Sequence, residues 1–254
     1  MNDLIDVTPK PPFAIFAAID ISHGCCRRIT AGSIDADDYG DPVEVAQSLV
    51  ASGARLLHLV DLDQAFERGN NREVMAEVVA AAGVPVQISG GINSTDRLKS
   101  AFDAGAIWVN LSADALLEPA WLAESFDRHL GRLSVSIDVT PEQQVVARGS
   151  NIEVGFLPDL LHLVHDYRLG RVIVTDTTAD GAMSGPNLNL AATVAAATNA
   201  HVIASGGIRD ASDIKQLADM REIGVIGAVV GKALYQGSLT IEQAHDAAAL
   251  RRQQ

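Results

Sequence analysis

Two octets of this chain nearly coincide. Residues 85–92 read PVQISGGI and residues 201–208 read HVIASGGI, 116 positions apart in a chain of 254. A near-copy at almost half the chain length implies a fold assembled from two similar pieces. Three further pairs keep nearly the same offset: Asp20 and Asp138 lie 118 apart, Asp61 and Asp176 lie 115 apart, and Leu111-Ser112-Ala113 precedes Val230-Gly231-Lys232 by 119.

All of these residues sit at the ends of short apolar runs, which cover 13–21, 55–62, 84–89, 106–111, 132–139, 170–176, 200–205 and 225–230. Continuous apolar runs of that length suit strands covered on both faces, as in a parallel sheet. Helix-like stretches separate them near 42–53, 71–83, 94–105, 118–130, 156–168, 187–199, 210–222 and 239–250. Asp41-Pro42, Ser94, Pro186-Asn187 and Asp210 supply start signals for four of these. Eight strand–helix units in a chain of this size predict an α/β protein, a (βα)8 TIM barrel, over a doubly wound sheet. The offset joins strand n to strand n + 4, so the barrel is expected to consist of two similar half-barrels. No linker divides the chain, and one domain is expected over 13–254 after a flexible extension at 1–12.

Composition narrows the function. A net charge of −13 argues against a nucleic-acid partner, because neutralising phosphates needs a basic face. No run approaches the length that crosses a bilayer, and the start MNDLIDVTPKPP lacks a signal-peptide core. Cys25 and Cys26 are the only cysteines, and neighbours make a poor staple, so a reducing, cytoplasmic setting is expected. No metal-ligand spacing occurs.

In barrels of this kind the active site lies at the C-terminal ends of the strands. Asp20, Asp138 and Asp176 fall there, and Asp180 lies in the loop after the sixth run. For Asp176 the ordinary role of a cap is the better reading. Asp20 is different, because a carboxylate at the end of FAAID is expensive to bury unless something uses it. Two carboxylates across a barrel mouth can divide general-base and general-acid work. The glycine-rich segment TDTTADGAMSGPN, 175–187, reads as a lid carrying Asp180. Gly206-Gly207 and Gly231-Lys232 end adjacent strands, where backbone N–H groups can hold an anion. A phosphate clamp after strands seven and eight is the expectation.

The motifs AIDISHG, HLVDLDQAF, VQISGGI, VTDTTADGAMSGPN, VIASGGI and AVVGKALY resemble the phosphoribosyl isomerase family of histidine biosynthesis. RGNNREVMAEVV is similar to its actinobacterial branch, phosphoribosyl isomerase A, which serves histidine and tryptophan synthesis. The resemblance covers nearly the whole chain after about residue 13. It implies a cofactor-free Amadori rearrangement of a small phosphoribosyl substrate by a monomer. It implies Asp20 as base, Asp180 as acid, Asp138 as a supporting carboxylate and Thr175 as the family's threonine at the end of strand six. By the same resemblance Ser205, Gly206, Gly207, Gly231 and Lys232 hold one phosphate, and Arg28 contacts substrate.

The chain departs from the family at two places. Ser89-Gly90-Gly91, the strand-three part of a second clamp, is intact, but the family's V-G-T-A-A after strand four is Leu111-Ser112-Ala113-Asp114-Ala115. The family's Arg-Gly-Trp is Arg148-Gly149-Ser150, which keeps an arginine suited to anthranilate's carboxylate and loses the stacking surface. A lost hydrogen bond to a charged group is worth roughly 1.5–3 kcal/mol. The histidine-pathway substrate (ProFAR) carries two phosphates and phosphoribosyl anthranilate carries one. The expectation is therefore phosphoribosyl anthranilate isomerisation with ProFAR activity weak or lost. The alternatives are a fully bifunctional isomerase and a catalytically silent barrel that binds a phosphometabolite. The sister cyclase is disfavoured, since a lysine usual soon after the first aspartate is absent from Asp20-Ile21-Ser22-His23-Gly24.

Overall fold

Eight parallel strands close on themselves in the computed structural model, which describes residues 11–30, 33–34, 37–150 and 152–249. They are β1 (Ala14–Ser22), β2 (Leu57–Asp61), β3 (Val86–Ser89), β4 (Trp108–Leu111), β5 (Leu133–Val139), β6 (Arg171–Asp176), β7 (His201–Ser205) and β8 (Val225–Val230). Each pairs with the next, and β8 returns to β1 in a register from Ala14↔Gly227 to Ala17↔Val230. Among the described residues eight helices of nine residues or more alternate with them: α1 (Pro42–Ala51), α2 (Arg72–Ala82), α3 (Thr95–Asp103), α4 (Pro119–Arg128), α5 (Leu157–Asp166), α6 (Leu188–Thr198), α7 (Ala211–Asp219) and α8 (Ile241–Ala249). This is the expected (βα)8 barrel. Most of the expected extension, residues 1–10, lies outside the described residues.

Local chemistry accounts for several helix starts. Asp41 accepts from the Val43 and Glu44 N–H groups, Asn187 from Leu190 N–H, and Asp210 from Ser212 and Asp213 N–H. Each satisfies donors that a first turn otherwise leaves open. Ser94 begins α3 without a side-chain cap. The last expected helix is shorter than its run, and 210–222 splits into α7 and a 3-10 turn at Arg221–Ile223.

Alternation along each strand divides the core in two. Leu57, Leu59, Val86, Ile88, Val109, Leu133, Val135 and Ile137 point outward to the helices. Their neighbours of opposite parity face the barrel axis. Phe16, Ala18, Leu56, Ile173, Ile203, Ile226 and Val229 fill that interior as one apolar cluster. On the β2–β5 side the interior is polar instead. His58 bonds Gln87 at 2.8 Å, and Gln87 donates to Ser134 at 3.0 Å. Ser134 donates to Asn110, whose amide donates to Ser89 and Ser136.

The half-barrel repeat extends beyond the sequence matches. Both half-barrels begin with a strand that turns back on itself. Cys25–Arg27 pairs antiparallel with β1, and Gln144–Ala147 pairs antiparallel with β5, where Ile152–Phe156 extends the ribbon. Asp61 takes both the backbone and the side-chain amide of Asn71, and Asp176 takes the side-chain amide of Asn187. Asp176 also accepts from Thr178 and Ala179, so it is a loop and cap residue as expected. The apolar runs do not announce these hairpins, because strands of three to five residues outside the barrel bury only one side.

Candidate active site

The inward parity positions at the strand ends converge on one cavity. Asp20, at the end of β1, lines it with His58 from β2 and Ser205 at the end of β7. Gly206, Gly207, Gly231 and Lys232 follow β7 and β8 along its rim, and Arg28, Arg148 and Asp180 reach it from loops. The loop after β6 folds over the mouth. Its Gly181 packs so closely on Ile29 and Thr30 that a Cβ would strike backbone, and Gly185 N–H donates to the Gly207 carbonyl at 2.9 Å.

Two arginines pair with three carboxylates here. Arg28 Nη1 lies 3.2 Å from Asp20 Oδ2 and 3.3 Å from the Ala18 carbonyl, and its guanidinium stacks on the Tyr235 ring at 4.6 Å. Tyr235 is itself held by an O–H bond to the Ala18 carbonyl and an edge contact from Tyr39. Arg148 Nε lies 3.3 Å from Asp138 Oδ1, while its Nη1 donates a short hydrogen bond to Asp180 Oδ2. Burial pushes the Asp20 carboxyl above the usual carboxylate range, with Arg28 opposing and Asp180 adding to the rise. Burial likewise raises Asp138, opposed by Arg148 and the Thr175 hydroxyl. Burial also works against the charge of Arg148, but Asp138 and Asp180 outweigh it and hold the guanidinium firmly protonated.

His58 has a role that neither run length nor motif indicated. Gln87 donates to Ser134, so its carbonyl oxygen is left to accept from His58 Nδ1. That fixes the Nδ1–H tautomer and leaves the Nε2 lone pair available. Burial lowers the imidazole from 6.5 to about 4, so the ring is neutral at physiological pH. Its position two residues beyond Leu56, on the inward parity of β2, was the available signal.

The structure does not bring every expected residue to the cavity. Asp138 and Thr175 are buried behind Arg148, 5% and 1% exposed. Ser89, Gly90 and Gly91 also stand away from it. Ser89 belongs to the polar interior through Asn110, and the Gly90 carbonyl accepts from Gln64. Gly90, with φ of +109°, lies so close to the Asp61 backbone that a Cβ would collide with it. Gly207, at φ +80°, meets the Gly185 carbonyl in the same way. Cys26 is fully buried and its thiol is pushed up to about 12 by burial, which fits packing.

Fold and site together define a (βα)8-barrel enzyme with buried carboxylates beside a glycine-rich rim. The family model described as "Histidine biosynthesis protein" matches residues 14–240. A protein of Arthrobacter sp. (strain FB24) is 39% identical over 245 residues, covering 96% of this chain and 98% of its own. It is named 1-(5-phosphoribosyl)-5-((5-phosphoribosylamino)methylideneamino)imidazole-4-carboxamide isomerase. Phosphoribosyl isomerase A of Mycobacterium ulcerans is 40% identical over 237 residues, 92% of this chain and 97% of that one. The chain belongs to this histidine-biosynthesis family and is an isomerase of the phosphoribosyl class. Among the described residues, no helix is long and apolar enough to cross a membrane.

Proposed function

We propose that one barrel domain over residues 13–254 isomerises N-linked phosphoribosyl aldoses to 1-amino-1-deoxy-ketulose phosphates, without a cofactor, on both ProFAR and phosphoribosyl anthranilate. The observation that carries this reading is the opposition of two carboxylates in one cavity, Asp20 paired with Arg28 and Asp180 paired with Arg148, beside Ser205, Gly206, Gly207, Gly231 and Lys232. In this reading the glycine rim holds the phosphate of the reacting ribose. Asp180 protonates the ring oxygen, the ring opens to an imine, and Asp20 removes the proton at C2. The resulting enol then returns a proton to C1 and becomes the ketone. Arg28 opposes the rise that burial imposes on the Asp20 carboxyl and so favours its ionised, basic form.

Arg148 in the present arrangement occupies Asp180, so substrate must draw the guanidinium away before Asp180 can act as an acid. An anionic group on the substrate, such as the carboxylate of anthranilate, suits that exchange. The broader, two-substrate reading is preferred to the narrowing expected from residues 111–115 and Ser150. Relatives near 40% identity across almost the whole chain carry the imidazole-carboxamide name or the isomerase A name.

The test is kcat/KM on both substrates in one buffer, with Asp20→Asn and Asp180→Asn beside the parent chain. Turnover of both, reduced about 10²–10⁴-fold by either substitution, is expected of a general base and a general acid. Unchanged activity in either variant would remove that residue from the mechanism, and turnover of phosphoribosyl anthranilate alone would restore the narrower reading.

A further inference from the structure

The half-barrel repeat places a second glycine cradle opposite the one at β7 and β8. Ser89-Gly90-Gly91 ends β3 as Ser205-Gly206-Gly207 ends β7, and all four glycines share positive φ, +109° and +63° against +88° and +80°. Ser112-Ala113-Asp114 follows β4 where Gly231-Lys232-Ala233 follows β8. The two cradles nevertheless differ in what their donors do.

In the first half the donors are spent on the chain itself. Ser112 N–H donates to the Ile92 carbonyl at 2.9 Å, and no such backbone bond joins the equivalent Gly231 to Ile208 among the described residues. Asn93 Nδ2 donates to Asp114 Oδ2 at 2.6 Å, and Arg97 Nη1 donates to the Gly91 carbonyl at 2.7 Å and to Asn93 Oδ1 at 3.3 Å. Asp114 Oδ1 is buried with no hydrogen-bond partner, and no ion pair reaches this carboxylate among the described residues. At the matching positions of the second half, Arg209 is clamped to Asp213 and Ala233 has no charge to offer.

We infer that Asp114 is a specificity-determining residue. Bonded to Asn93 and in no ion pair among the described residues, its carboxylate stands at the first half-barrel's anion cradle and disfavours a substrate that brings a second phosphate there. The name of the Arthrobacter relative contains two 5-phosphoribosyl groups, so a substrate of that kind must place a second phosphate dianion beyond the β7–β8 cradle. A carboxylate at this spot repels it, and the Asn93 bond must break before the cradle can turn outward. The one-phosphate substrate uses only the β7–β8 cradle and does not meet Asp114. The inference rests on the two-substrate reading above and sets the balance between the two activities.

The experiment compares the parent chain with Asp114→Ala and Asp114→Asn on both substrates. KM for the two-phosphate substrate is expected to fall about tenfold in each variant, with its kcat and both constants for phosphoribosyl anthranilate within twofold. Equal shifts on the two substrates, or an unchanged KM for the two-phosphate one, overturn the inference. Equilibrium binding of the two-phosphate substrate by calorimetry is measured in parallel. If none of the proteins turns over either substrate, the proposed function fails, and calorimetry still decides the inference. Tighter binding by both variants then upholds the role of Asp114, and equal binding overturns it.

Discussion

Arg28 and Arg148 occupy the same position in the two half-barrels. Each stands one residue past a short strand that pairs back antiparallel onto the first strand of its half, Cys25–Arg27 on β1 and Gln144–Ala147 on β5. Each then meets the aspartate at the end of that strand, Arg28 with Asp20 at 3.2 Å and Arg148 with Asp138 at 3.3 Å. The copies have diverged in what else they touch. Arg28 stacks on Tyr235, whereas Arg148 crosses to Asp180. A symmetric scaffold thus carries an asymmetric site.

Among the described residues Arg148 is the cation within ion-pair distance of both Asp138 and Asp180, and removing it leaves two buried or half-buried carboxylates without that partner. Breaking a buried pair from one side typically costs about 3–5 kcal/mol; Arg148 is partly exposed, so a smaller loss of stability is expected. Arg148→Ala should lower kcat/KM by about 10²-fold or more through loss of the cation that the substrate's anionic group draws from Asp180. Activity within threefold of the parent chain would show that Arg148 holds the site only in the absence of substrate.

The pH profile should report Asp20. Its carboxyl is raised by burial, and a base works only when ionised, so kcat/KM should fall as pH drops through a value above the ordinary aspartate range of about 3.9. Arg28→Gln removes the charge that opposes the rise, and the acid limb should move to higher pH. A limb that stays in place would separate Asp20 from the rate.

Gly231 offers a gentler route to the same pair. A Cβ at this position would land on Arg28 Nη2, the movable end of a long side chain, and no backbone lies in its way. Gly231→Ala is therefore expected to leave the melting temperature within a few degrees while lowering kcat/KM about tenfold or more through the displaced guanidinium. A large fall in melting temperature with full specific activity would contradict this.

His58 should give the fold a slope with pH. The folded ring resists protonation down to about 4, whereas the unfolded chain takes up the proton near 6.5. Stability is then complete above about 6.5 and is lost as pH falls toward 4, by up to about 3 kcal/mol. His58→Asn keeps a donor for Gln87 and should flatten the slope. Thermal or urea unfolding at several pH values checks it, and an unchanged slope in the variant would assign the effect elsewhere.

Much of the architecture was legible in the residue order. The repeated SGGI octets, the strand-end aspartates and the alternation of apolar runs with amphipathic stretches are local and periodic. They implied the (βα)8 barrel, its two halves and the ends at which chemistry gathers. Family motifs singled out Asp20 and Asp180, which do face each other in one cavity with Arg28 and Arg148. What stayed hidden depends on contacts between distant residues. That Arg148 reaches Asp180 across 32 positions, that Gln87 sets the tautomer of His58, and that Asp114 turns to Asn93 are all consequences of closing the barrel. Sequence by itself determined which residues point inward, because strand parity is a property of neighbours. Only the tertiary structure decided which inward groups pair, because the strength of a charge or hydrogen bond depends on burial and distance, and both exist only once the strands have closed.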